Sequence, residues 1–529
     1  MAPAPRDDAM AKPYYITTAI HYPNGRPHIG HAYEMIAADA LARFHRQAGR
    51  DVRFQTGTDE HGLKMVQTAR GRDMDVRALA DEMSGYFNEI ADVLNISYDR
   101  FIRTVEPQHY AASQAIWNAM EAAGDLYLDR YEGWYSVRDE AFYEEKELTD
   151  GEGGQKLSPQ GTPVEWTSEE TWFFRLSKYQ QPLLDFYRDN PDFIRPESRR
   201  NEVLRFVEGG LADLSVSRTS FDWGVPVPGS DGHVMYVWVD ALTNYISGIG
   251  YPDDREQFNR YWPADLHLIG KDIVRFHTVY WPAFLMSAKL PLPRQVFGHG
   301  FVLNRGEKMS KSTGNIVDPK ALAERYGVDA LRYFLLRDIS FGQDGSFSAE
   351  AIVTRANADL ANSFGNLAQR TLSFIAKNLG GALPDAGRAD PADQALLDEV
   401  RTACRGYRAA FEALSLSQAL DAWMAGVFAC NQYIDAQAPW ALRKTDPERM
   451  HAVLGTLVRA IRELAVNIEP VVPMSAAKML DQLGVTDRSH AAIEDDGWYD
   501  RQKSAGFTIA APAPIFPRLI LEEAEEPAA

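Results

Sequence analysis

Two short stretches hold residues whose types and spacing could do chemistry. In RPHIGHAYE, residues 26–34, His28 and His31 bracket Gly30 where a helix is about to begin. A helix N-terminus offers N–H groups and the positive end of the helix dipole, which attract phosphate. Glycine lets a flat ring or a phosphate approach the backbone closely. Imidazole N–H groups can donate to phosphate oxygens whose charge grows in a transition state. Two surface histidines beside a helix cap would look the same. The second stretch, KMSKS at 308–312, sets Lys308 and Lys311 in a glycine-flanked loop. Two ammonium groups there could clamp a leaving pyrophosphate as mobile point charges, although a solvated lysine loop is the plain alternative.

The surrounding pattern says what must position these residues. PYYITTAI (13–20) is an apolar, β-branched run that reads as a buried strand. Tyr33, Ile36, Ala37, Ala40, Leu41 and Phe44 then recur on one helical face, Gly49 ends the helix, and VRFQTG (52–57) opens the next strand. Strand, loop, helix and strand make a βαβ unit of a parallel sheet, and ligands bind such sheets at the carboxyl ends of the strands. His28 and His31 fall on that edge. From about 126 to 235 the texture changes to alternating aromatic and charged residues with turns at DGEGG, SPQGTP and PVPGSDG, which predicts an α+β insertion. The α/β pattern resumes at VMYVWVDA (234–241) and runs through DLHLIGKDI (265–273) to VFGHGFVLN (296–304), just before the lysine loop. From about 350 to about 480 the period is helical.

Composition sets outer limits. A chain of 529 residues can hold three or four domains, and 45% hydrophobic with 24% charged residues is ordinary for a globular protein. No apolar run reaches the roughly 18–20 residues that cross a bilayer, so no membrane partner is expected. MAPAPRDDAMAK has no apolar signal core and reads as a disordered lead, which points to a cytoplasmic location. Cys404 and Cys430 are the only cysteines and neither sits in a CxxC pair, which argues against a disulfide framework or a cysteine-built zinc site. A net charge of −19 weighs against nucleic acid at first sight. Binding follows local patches, however. Some of the acid lies in the LILEEAEEPAA tail and in YEEKELTDGEGG (143–154), while RPESRR (195–200) is basic.

HIGH after the first strand, paired with KMSKS after the last, resembles the class I aminoacyl-tRNA synthetases. AIHYPNGRPHIGHAYE (19–34), TGTDEHG (56–62), YVWVDALTNY (236–245), HLIGKDIVRFHTVYWPA (267–283) and KMSKSTGNIVDP (308–319) are similar to the methionyl-tRNA synthetase family, with the likeness running from about 13 to about 480. That resemblance implies a ligase that activates methionine with ATP to methionyl-adenylate and pyrophosphate. It then transfers methionyl to the 3′ adenosine of initiator and elongator methionine tRNA. The implied fold is α/β, a Rossmann-like parallel-sheet catalytic domain with an α+β insertion, followed by a helical-bundle anticodon-binding domain. The implied division is a lead at 1–12, a split catalytic domain at 13–125 and 236–318, and a connective insertion at 126–235. A linker region at 319–355, a helical domain at 356–515 and an acidic tail at 516–529 complete it.

The resemblance also implies roles for residues. Methionine would be held by Ile20, Tyr22 and Asp59, by a wall of Trp238, Ala241, Leu242 and Tyr245, and by a second wall of Ile273, Phe276, His277 and Trp281. Aromatic edges suit a polarizable thioether, and Asp59 would pair with the α-ammonium. Read alone, those tryptophans are ordinary core aromatics. ATP falls to His28, Gly30, His31, Gly270, Asp272, Met309 and Lys311, with His28, His31, Lys308 and Lys311 catalytic and Mg²⁺ on the phosphates. The attacking carboxylate is ionised at neutral pH and needs no base. Asn362, Asn366, Arg370 and Trp440 would read the anticodon, although by spacing alone the first three form a solvated face.

Many relatives clasp the insertion with zinc through CxxC pairs. Here GWYSVRDEAFY (133–143) offers Ser136 and Asp139 instead, and no second pair follows. A metal-free knuckle held by Trp134, Tyr135 and Phe142 is expected, with no structural zinc. Because the chain stops soon after its helical region, a monomer is expected. Two other classes compete. A small-molecule nucleotidylyltransferase or carboxylate-activating ligase would lack the long helical module. A catalytically dead RNA-binding paralogue would not need HIGH, Asp59 and KMSKS intact.

Overall fold

A computed structural model describes residues 11–136, 141–143, 145–304, 306–309, 315–385, 387–495 and 497–521. Six parallel strands form its central sheet: β1 (Pro13–His21), β2 (Asp51–Thr58), β3 (Arg100–Arg103), β4 (Ile194–Arg195), β5 (Leu266–Gly270) and β6 (Val296–His299). Their order is β3-β2-β1-β5-β6-β4. The chain winds outward one way from β1 and the other way from β5, so the switch point lies between them, and a ligand crevice is expected outside their carboxyl ends. β1 and β5 are buried nearly throughout, as strands covered by helices on both faces must be.

Eight helices carry the rest of the argument: α1 (Ile29–Gln47), α2 (Pro107–Ala122), α3 (Val237–Ser247), α4 (Val328–Asp338), α5 (Asn366–Asn378), α6 (Leu416–Gln437), α7 (Pro439–Thr445) and α8 (Pro447–Ile468). The apolar face expected on α1 is buried, but so is nearly every other residue of that helix. α1 is wedged between the sheet and the helical region. One continuous core joins it to α4, α5, α6 and α8. This burial forces a charge pair into the joint. Asp39 of α1 and Arg332 of α4 are both fully buried with Nη2 2.6 Å from Oδ2, and Arg332 also donates to the carbonyls of Pro470 and Val471 at 2.9 and 3.0 Å.

A second core lies under the other sheet face and gathers α2, α3 and the helices after β4. Residues 126–235 contain a four-stranded antiparallel sheet whose long pair is Leu126–Ser136 against Glu165–Phe174. The same segment contributes β4, so part of it is built into the parallel sheet. VMYVWVDA is extended only at Val234–Met235. Trp238, Ala241, Leu242 and Tyr245 stand at i, i+3, i+4 and i+7, the spacing of one helical face, and α3 begins at Val237.

Where zinc-binding pairs would sit, three buried hydroxyls close on one another. Ser136 Oγ and Ser158 Oγ lie 2.8 and 2.7 Å from Thr162 Oγ1. Trp134 meets Trp166 edge-on with centroids 5.6 Å apart. Tyr135 opposes Phe142 across two strands, and Asp139 lies outside the described residues. Hydroxyl oxygens can bridge as both donors and acceptors, a function that the sequence reading had given to aromatic packing alone.

Candidate active site

A cleft of about 180 Å³ opens at the switch point, lined by His21, His28, Gly30, His31, Glu34, Gly270, Asp272, His299, Gly300, Phe301, Val302 and Met309. It therefore brings together the HIGH residues, the Gly270 and Asp272 pair, and Met309. The helix start is built differently from the sequence expectation. His28 is the N-cap of α1, its Nδ1 accepting from the Gly30 N–H at 3.1 Å, and His31 Nδ1 accepts from the His28 N–H at 3.0 Å. The N–H of Ile29 donates to the Val317 carbonyl and that of His31 to the His28 carbonyl. The first N–H groups are thus spent within the protein, which corrects the picture of a bare helix end receiving phosphate. In its place, capping fixes both histidine tautomers. An Nδ1 that accepts leaves the proton of a neutral ring on Nε2, so each ring becomes a donor at its outer nitrogen. The rings stack with centroids 3.8 Å apart. Gly30 is required for this cap, because a Cβ there would lie 2.9 Å from His28 Cε1.

Six lining residues were not among those predicted, and three of them, His21, Glu34 and His299, are ionisable. Glu34, one turn after His31, accepts from the Ala19 N–H at 3.0 Å, where the β1–β2 register shifts between Thr17 and Ile20. Its other oxygen lies 2.8 Å from His299 Nε2, while His299 Nδ1 lies 2.8 Å from the Gly300 carbonyl. A carbonyl and a carboxylate both accept, so this geometry suits a ring protonated on both nitrogens. Burial alone would lower the His299 pKa, but the Glu34 hydrogen bond and charge outweigh it and raise it. The Glu34 carboxylate thus favours the protonated form of the ring in the cleft floor. His21 stays neutral, its pKa lowered by burial. The available signal was position: His21 ends β1 at the switch, and His299 ends β6, the strand next to β5.

The predicted methionine residues lie on the ends of β1 and β2, on α3 and on the segment after β5. β1 closes with half-buried Ile20 and buried His21, and half-buried Tyr22 follows. The Asp59 carboxylate is buried at the end of β2, with its backbone N–H on the His21 carbonyl at 2.9 Å. Trp238 of α3 stacks on Phe276 with centroids 3.3 Å apart. Tyr245 and Trp281 are buried 6.2 Å apart, and Ala241, Leu242 and Ile273 complete the surroundings. His277 Nδ1 faces the Ile273 carbonyl at 2.9 Å, so its Nε2 accepts from the Tyr245 hydroxyl at 2.6 Å. Burial holds the His277 pKa down to about 4. Trp238 with Phe276, and Tyr245 with His277 and Trp281, thus form two aromatic groupings on α3 and the segment after β5.

Glu307–Lys308 forms a short strand on Leu303–Asn304, and Met309 points into the cleft. Asn304 Nδ2 donates to the Asn315 carbonyl at 2.9 Å and joins the two ends of the loop. Lys311 lies outside the described residues, as does the Lys308 side chain. Far along the chain, the Arg370 guanidinium lies 5.0 Å from the ring centroid of Trp440 and bonds Asp435 Oδ1 at 2.8 Å. Trp440 is 45% exposed at the start of α7. Asn362 and Asn366 are exposed, the first in a π-helical segment (Ala356–Gly365) and the second opening α5.

Comparison with known proteins places this geometry. The family model for class I tRNA synthetases (M) matches residues 14–372, and that for the anticodon binding domain of methionyl tRNA ligase matches 383–528. The methionine–tRNA ligase of Brucella suis is 57% identical over 515 residues, covering 97% of this chain and 99% of that protein. Its counterpart in Mycobacterium tuberculosis strain H37Rv is 56% identical over 514 residues, covering 96% and 98%. The structure of the M. tuberculosis methionyl-tRNA synthetase in complex with methionyl-adenylate superimposes with a TM-score of 0.92 at 55% identity, over 96% of this chain and all of that one. The apo form of that enzyme gives 0.86 at 52% identity, over 97% and 99%.

Proposed function

The chain belongs to the methionine branch of the class I tRNA synthetases, and from that premise we propose how its own residues divide the work. The reaction is methionine–tRNA ligation: methionine and ATP give methionyl-adenylate and pyrophosphate, and the methionyl group passes to tRNA. Asp59 takes the substrate ammonium, and a carboxylate desolvated beside a cation gains the most from pairing. Ile20, Tyr22, Trp238, Ala241, Leu242, Tyr245, Ile273, Phe276, His277 and Trp281 enclose the thioether side chain. That leaves the methionine carboxylate directed at the cleft, where it attacks the α-phosphorus in line with the departing pyrophosphate.

His28 and His31 donate through Nε2 to phosphate oxygens as charge develops on them. The observation that carries this assignment is the double cap, which commits both Nδ1 atoms and leaves both protons on the side away from the helix. Gly270 and Asp272 take the ribose, Met309 and Gly30 flank the nucleotide, and Lys308 with Lys311 neutralise the leaving pyrophosphate. Mg²⁺ neutralises phosphate charge when bound. Of the two acids in the cleft, Glu34 is committed to Ala19 and His299, and no group of three or more metal-ligating side chains occurs among the described residues.

Anticodon reading falls to Asn362, Asn366, Arg370 and Trp440. The Arg370 and Trp440 contact supports it, since a guanidinium beside an exposed indole offers unpaired bases two flat surfaces. Trp440→Ala tests the division of labour. Stacking is worth about 1–3 kcal/mol per base, so kcat/KM for tRNA should fall roughly 5- to 150-fold. ATP–pyrophosphate exchange without tRNA should stay at the parent level, and equal loss in both assays would refute the assignment. The reading also includes a monomer working in the cytoplasm, and a native mass near twice 59.3 kDa would contradict the first part.

A further inference from the structure

Asp240 takes no part in the roles assigned so far, yet it is the most heavily partnered buried acid near the pocket. It is fully buried on α3, immediately before Ala241. Its Oδ2 lies 2.6 Å from His61 Nδ1 and its Oδ1 lies 2.7 Å from His109 Nε2. A carboxylate accepts, so both of those nitrogens carry protons. The far nitrogens face hydroxyls, His61 Nε2 that of Tyr110 at 3.0 Å and His109 Nδ1 that of Ser247 at 2.9 Å. Burial would raise the Asp240 pKa, but the two imidazoles outweigh it and hold the group ionised.

Three elements meet at this carboxylate: the loop after β2 through His61, α2 through His109, and α3 itself. Two of them are opposite sides of the methionine slot. The loop presents Asp59 two residues before His61, and α3 presents Trp238, Ala241 and Leu242 around Asp240. The loop's other ties run elsewhere. Glu60 pairs with Arg103 of β3 at 2.7 and 2.6 Å, the Glu60 carbonyl accepts from Trp223 Nε1 at 2.6 Å, and the Asp59 N–H reaches His21. Lower down, Gln55 of β2 donates to Asn244 of α3 at 2.8 Å. That bond attaches the strand, while the His61 bond orients the loop tip.

We propose that Asp240 is a positioning residue for methionine: through His61 it sets the separation between the carboxylate that receives the ammonium and the aromatic wall that receives the thioether. The proposal rests on the assignment of Asp59 and Trp238 to the substrate. Methionine touches both sides of the joint and senses their separation, whereas ATP binds beyond it.

The test is ATP–pyrophosphate exchange on the full chain with methionine and ATP varied separately. Asp240→Asn keeps the size but leaves one imidazole N–H facing an amide that cannot accept twice. Its KM for methionine should rise about tenfold or more, as expected when one partner of a buried charged network is lost, while kcat and the KM for ATP stay within about twofold. A fall in kcat alone, a rise in both KM values, or parent behaviour would overturn the proposal. Should Asp240→Asn fail to fold, His61→Asn decides by the same readings. His109→Gln, which meets the oxygen farther from the loop, should raise the methionine KM less than His61→Asn; an equal or larger rise would overturn it. Asp59→Asn separates the two levels of argument. If it leaves the methionine KM unchanged, the pocket assignment is wrong; if it alone raises that KM, only the role of Asp240 falls.

Discussion

Removing one hydroxyl tests whether His277 is held as a neutral acceptor inside the methionine slot. The Tyr245 hydroxyl donates to His277 Nε2 at 2.6 Å, while His277 Nδ1 donates to the Ile273 carbonyl at 2.9 Å, so the ring is pinned at both ends. In Tyr245→Phe the second bond remains and the ring volume hardly changes, so no packing cost is added. What remains is a buried acceptor without a donor, worth about 1–3 kcal/mol, or roughly 5- to 150-fold in an equilibrium. Because His277 keeps one anchor, the lower end applies: the KM for methionine should rise about five- to tenfold. The KM for ATP should not move, and the melting temperature should fall. The readout is pyrophosphate exchange beside a thermal melt. Unchanged methionine KM together with an unchanged melting temperature would refute the reasoning, since the hydroxyl would then not be the donor that keeps His277 in place.

Two further predictions concern stability. Arg332→Ala leaves Asp39 in the joint between α1 and α4 with Arg43 and Ser97 as its remaining partners. Loss of one member of a buried pair costs about 3–5 kcal/mol, and these partners favour the low end; denaturant unfolding should show it, and the paired change Asp39→Leu with Arg332→Met should recover part of the loss. Acid should also weaken the fold through His277, whose pKa is lowered from 6.5 to about 4 by burial. The unfolded chain binds that proton first, so the contribution is intact above pH 6.5 and fades as pH falls toward 4, by up to about 3 kcal/mol. His277→Gln should flatten the stability curve between those limits, and identical curves for parent and variant would contradict it.

Much of this was legible in the sequence because the signals are periodic or punctuated. The β1–α1–β2 unit and the helical C-terminal half follow from patterns that local chemistry dictates, while the grouping of HIGH with Gly270, Asp272 and Met309 was implied by the family resemblance. The missing parts depend on residues distant in sequence. The His299 pKa is raised because Glu34 faces it, and nothing local to VFGHGFV announces that. Asp240 reads as one acid on an amphipathic helix until His61 and His109 arrive from two other elements. The Ser136, Thr162 and Ser158 knot was invisible for the same reason, since single hydroxyls carry no spacing signature. The helix N-terminus misled in the other direction: its N–H groups looked available, yet one bonds the distant Val317 carbonyl and the next two bond His28 itself.

The most direct test of the account is amino-acid-dependent ATP–pyrophosphate exchange, run with each of the twenty amino acids and no tRNA. The proposed methionine site of Asp59, Trp238, Tyr245, Phe276 and His277, beside the cleft that holds His28 and His31, predicts exchange with methionine alone. Exchange driven by another amino acid would contradict the pocket built here from Trp238, Tyr245, Phe276 and His277, and absence of exchange from folded protein would contradict the catalytic assignment of His28 and His31.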